Sequence, residues 1–141
     1  MCIRDSMYCY LGQGQGNVMR LLPNPTNSSS QISAHQAIRI PDWMVPNPGF
    51  VLDAGMPGEE AVMCIASDTD MANKLPENLQ TPGLRPMQGV NGLAAIKEAH
   101  EQAAGGSSGI TEQTMRWRVI PKRVAAAPAA PAAPAATAAA R

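Results

Sequence analysis

Two short apolar runs, MYCYL at residues 7–11 and VMRLL at residues 18–22, flank GQGQGN, and this arrangement commits the start of the chain to antiparallel pairing. In the first run Met7, Cys9 and Leu11 share one face and Tyr8 and Tyr10 the other, as alternation along a strand requires. The second run stops at Pro23 and Pro25, neither of which can donate a ladder hydrogen bond. A phosphate-binding glycine loop opens a helix whose first amides face the anion. Here the loop opens a strand, and its spacing fits neither the dinucleotide nor the P-loop pattern, so Gly12, Gly14, Gly16 and Asn17 are read as a turn.

The same alternation recurs downstream. QAIRI at residues 36–40, with Ile38 and Ile40 inward, predicts a third strand. FVLDA at 50–54 and AVMCIA at 61–66 predict a fourth and fifth, and the latter is apolar on both faces, as in a central covered strand. SDTDMANKLP then reads as a short helix capped by Ser67 or Asp68 and ended by Pro76. Asp68 and Asp70 could be drawn as a metal site, but a hard cation needs several oxygen ligands that this stretch does not supply. The longest helical pattern covers residues 90–104, where Val90, Leu93, Ile96 and Ala99 or His100 recur on one face. Lys97 and Glu101 pair at i,i+4 there, and Gly105-Gly106 ends the run. EQTMRWRVIP at 112–121 returns as a strand with Met115, Trp117 and Val119 on one face and Arg116 and Arg118 on the other. The expected fold is mainly β (α+β): a small antiparallel sheet or sandwich of about five to six strands carrying one packed helix.

Neither end reads as folded protein. MCIRDS at residues 1–6 resembles a translated sequencing-adapter scar of metagenomic origin and is set apart as a non-native leader, which leaves one domain over residues 7–123. Residues 124–141 form an Ala/Pro tract in which Pro128, Pro131 and Pro134 forbid a continuous helix, so a disordered linker or tail is expected.

Charge and chemistry narrow the function. Eleven basic residues balance eleven acidic ones, which gives no electrostatic footprint for nucleic acid. No run has the length needed to span a bilayer. His35 in a loop and His100 on the helix belong to no catalytic or metal-binding spacing, and His100 is read as a surface residue. No catalytic, cofactor-binding or metal-ligating residue is assigned, no cofactor is expected, and an autonomous hydrolase built on His35 or His100 is the weakest reading. With Cys2 in the leader, Cys9 and Cys64 are either two buried independent thiols or one disulfide; the first favours cytoplasm and the second an oxidising compartment. The Arg116 and Arg118 strand face reads as a solvated face or as a binding surface.

The ordered series YCYL, Gly-rich turn, VMRLLPNP, AIRIPD, GFVLDAGMPGEEAVMCIASDTD, AAIKEAHEQAAGG and MRWRVIP resembles the bacterial family known as domain of unknown function 4384, over most of residues 8–121. The family usually opens with a further strand ahead of the YCYL element. The resemblance implies a module without assigned activity on the C-terminal side of larger bacterial proteins, some envelope-associated, others fused to caspase-like peptidases or protein kinases; it transfers no catalytic residue. The expectation is therefore a non-catalytic interaction module, periplasmic or envelope-associated with cytoplasm as the alternative, that meets a protein partner or neighbouring domain through Tyr8, Tyr10, Arg116 and Arg118 or through a free sheet edge. The alternative is the regulatory end of a kinase or caspase-like peptidase.

Overall fold

The computed structural model describes residues 4–26, 28–33, 56–80 and 82–121. Its five strands form one antiparallel sheet: β1 (Arg4–Gly12), β2 (Val18–Leu22), β3 (Gln31–Ser33), β4 (Gly58–Ser67) and β5 (Thr111–Val119), with one α-helix, α1 (Leu93–Ala104), between β4 and β5. The spatial order is β2-β1-β4-β5, and β3 joins the sheet through β1. One edge of β1 is therefore shared: its first residues pair β3 (Ser6 opposite Gln31) and its last pair β2 (Gly12 opposite Val18). Its other edge pairs β4 from Ser6 opposite Ser67 to Gly12 opposite Ala61.

The hairpin forms where expected. Gly16 adopts φ 83°, and its carbonyl accepts the Gly92 N–H at 2.9 Å, so the turn is tied to the start of α1. The left-handed backbone favours glycine there, and a Cβ would lie 2.0 Å from Asn91 Oδ1, so the Asn91 side chain would have to swing aside to admit one.

Alternation in β1 and β4 divides the interior into two clusters. On one side Tyr8, Tyr10, Val18, Met63 and Ile65 pack with Ile96 of α1 and with Met71, Leu75, Leu79 and Met87 from the connection between β4 and α1. On the other, Met7, Cys9, Leu11, Leu21, Leu22 and Val62 pack together, with Trp117 against them. The connection also closes the outer edge of β2, where Leu84 N–H donates to the Arg20 carbonyl and Met87 N–H to that of Val18, each at 2.8 Å. α1 begins three residues later than its sequence pattern and ends as expected, with Gly105 in the left-handed region at φ 84°.

Several expectations are corrected. The fold does not begin at Met7: β1 starts at Arg4, Ser6 is buried, and residues set apart as a leader carry the β1–β3 pairing. Residues 31–33, read as loop, form β3 because β1 extends far enough to offer them a free edge. The capped segment after β4 makes one turn rather than a helix, closed by Lys74 N–H and Leu75 N–H on the Met71 carbonyl before Pro76 stops it. The strands expected at residues 36–40 and 50–54, and the tail at 124–141, lie outside the described residues.

Candidate functional site

The sheet brings the two cysteines together. Cys9 and Cys64 stand directly opposite each other on the paired central strands, with Cα atoms 4.1 Å apart, and form a disulfide closing a separation of 55 residues. Of the two sequence readings, independent thiols and a bond, the structure shows the bond. It sits in the cluster of Met7, Leu11, Leu21, Leu22 and Val62, with Cys9 fully buried.

On the opposite side of β1 lies a buried polar pair that the sequence did not reveal. Tyr10 Oη and His100 Nε2 are 2.7 Å apart, both residues are fully buried, and Tyr8 stacks at a tilt on the imidazole with ring centroids 5.3 Å apart. Burial pushes the His100 pKa down to about 4 and raises that of Tyr10, so both are neutral at physiological pH. Nδ1 of His100 has no hydrogen-bond partner among the described residues. His100 is thus corrected from surface to core: it follows Ile96 by one turn on the buried stripe of α1, and its partner lies 90 residues away. His35 lies outside the described residues.

A second buried polar group, Glu60, lies where β4 starts beside the end of β1. Its carboxylate accepts from Trp117 Nε1 at 3.0 Å and Gln13 Nε2 at 3.2 Å, locking β5 and the hairpin turn onto β4. It borders two shallow concavities. One of about 120 Å³ is lined by the turn with Met56 and Pro57. The other, about 300 Å³, is lined by Gly12, Glu59, Leu93 and Arg116. Both oxygens of Glu60 already hold internal partners, so the group acts as a tie between elements.

The four residues expected to form an interaction face share one side of the sheet, since Tyr8 aligns through Ile65 with Glu112 and Tyr10 through Met63 with Thr114. Packing separates them. Tyr8 and Tyr10 lie beneath α1 and are buried, which corrects their assignment to a binding surface. Arg116 and Arg118 lie on β5 and are exposed. The same strand carries Met115, 64% exposed on the other face, and Glu112, which faces Lys97 of α1 at 3.5 Å and accepts from the Thr114 hydroxyl. Those two partners hold the Glu112 carboxyl below its ordinary pKa, the Thr114 hydrogen bond being the larger cause. Asp70 caps the turn after β4 through the Ala72 N–H at 2.9 Å, and Asp68 accepts from the Thr69 hydroxyl. Among the described residues no three His, Cys, Asp or Glu side chains gather as metal ligands, and no helix is long and apolar enough to cross a membrane.

Residues 5–70 match a family model described as "Domain of unknown function (DUF4384)". The match runs from the second residue of β1 to three residues past the end of β4, and it includes Asp5 and Ser6; the turn at Met71, α1 and β5 lie beyond it. No curated protein and no solved structure matches the chain.

Proposed function

With the DUF4384 resemblance of residues 5–70 as premise, we propose that this chain is a non-catalytic interaction module of a larger bacterial protein located in the cell envelope. The observation that carries the reading is the Cys9–Cys64 disulfide between the two central strands, because such bonds persist in oxidising compartments such as the periplasm and are rare where thiols are kept reduced. The use of the polar side chains supports it. His100 is spent on Tyr10 within the core, and Glu60 on Trp117 and Gln13. The surface this leaves to a partner is β5, with Arg116, Arg118 and Met115 outward.

Thiol titration tests the reading directly. The chain has three cysteines and Cys9 is fully buried, so protein isolated from a producing bacterium and unfolded in denaturant should take up one alkylating group, at Cys2, before reduction and three after it. Uptake of three before reduction removes the support for an envelope location.

A further inference from the structure

We propose that two copies of this chain pair through the outer edge of β5, antiparallel and centred on Met115. The inference rests on the reading of the domain as an interaction module and names its partner as a second copy.

Among the described residues the edge is long and open. β5 is the last strand of the sheet and runs for nine residues, and no described residue pairs with its outer side, whereas residues 84–87 close the other edge along β2. Register fixes which amides it offers. A Cα separation of 4.1 Å marks Cys9 and Cys64 as a pair without mutual backbone hydrogen bonds, and the Met7 N–H, two residues earlier, accordingly turns away from β4 to the Ser30 carbonyl. Cys64 therefore directs its N–H and C=O toward Gln113 on β5. Gln113, Met115 and Trp117 point theirs back toward β4, while Glu112, Thr114, Arg116 and Arg118 point theirs outward.

Charge selects the occupant. With two β5 strands antiparallel about Met115, all nine residues pair: Glu112 falls opposite Arg118 of the second copy, Thr114 opposite Arg116, and Met115 opposite its own equivalent. Two-fold symmetry repeats the Glu–Arg pair, giving two attractive cross-strand contacts, and covers the exposed Met115 with another methionine. Centring on Arg116 instead would set that arginine against itself, and centring on Thr114 would pair only part of the strand.

Sedimentation equilibrium of the full oxidised chain over a rising concentration series tests the proposal. The expected result is a dimer that Arg118→Glu and Glu112→Arg each weaken on the order of tenfold, by placing like charges opposite each other twice. An equimolar mixture of the two variants should recover the dimer, since each offers the charge the other lacks; a change in fold alone could not produce that recovery. Thermal melts of the variants confirm that the monomer survives. A dimer indifferent to both substitutions overturns the proposal, and so does a monomer at every concentration. In a monomer, slow exchange of the Thr114 and Arg116 amides would show the chain covering its own edge, and fast exchange would leave the edge to a different protein. Neither outcome touches the interaction-module reading, whose envelope location stands or falls on the thiol titration.

Discussion

His100 Nδ1 is a polar atom sealed inside an apolar cluster, and its neighbour Nε2 depends on one phenol. Removing either member of that pair strands the other. Tyr10→Phe and His100→Leu should each cost about 1 to 3 kcal/mol, whereas the double variant, with no polar group left to satisfy, should be close to neutral against either single one. Urea unfolding of the four proteins measures this coupling. Protonation makes the same point. The folded-state pKa of His100, about 4, lies below its ordinary value of 6.5, so the unfolded chain binds the proton first as pH falls. Stability should be level above pH 6.5 and decline by roughly 3 kcal/mol toward pH 4, and His100→Leu should flatten that window. The Glu112 carboxyl acts lower: its pKa is depressed from 4.5, so its contribution is present above that value and lost only as pH falls further.

At the scale of elements, the stabilising tie is between β1 and β4. Replacing Cys9 and Cys64 by alanine should lower stability by about 2 to 4 kcal/mol, because the bond shortens the freely moving loop of the unfolded chain by 55 residues; a thermal melt with and without reductant reads the same loss. The alternation of Met7 to Leu11, the boundaries of β2 and the glycine that ends α1 were legible in the letters, because each depends on neighbours a few residues away. The disulfide stayed one of two readings, since it exists only when β1 and β4 are adjacent, and adjacency is a property of the sheet. His100 misled for the same reason: a polar letter on an apolar stripe looks exposed unless the phenol that accommodates it is known. Residues 31–33 carry almost no strand signal of their own, and β3 forms because β1 presents an edge.

For the whole molecule, β1 is the hub. It contacts β2, β3 and β4, and its first three residues belong to the stretch that its likeness to an adapter scar set apart as a leader. Deleting residues 1–6 should remove the pairings of Arg4, Asp5 and Ser6 with β3 and expose the end of β4 near Ser67. A loss of about 1 to 3 kcal/mol is expected, with faster amide exchange at residues 31–33 and 66–67. Unchanged exchange there would show that β3 holds without its partner.

Because Cys9 and Tyr10 are consecutive and face opposite ways, the two sides of a single strand answer to different agents. An electron donor acts on one side of the sheet, through the sulfurs, and a proton donor on the other, through the imidazole. Acidification and reduction therefore loosen different compartments of the same domain, and a chain meeting both at once would lose its support from both directions.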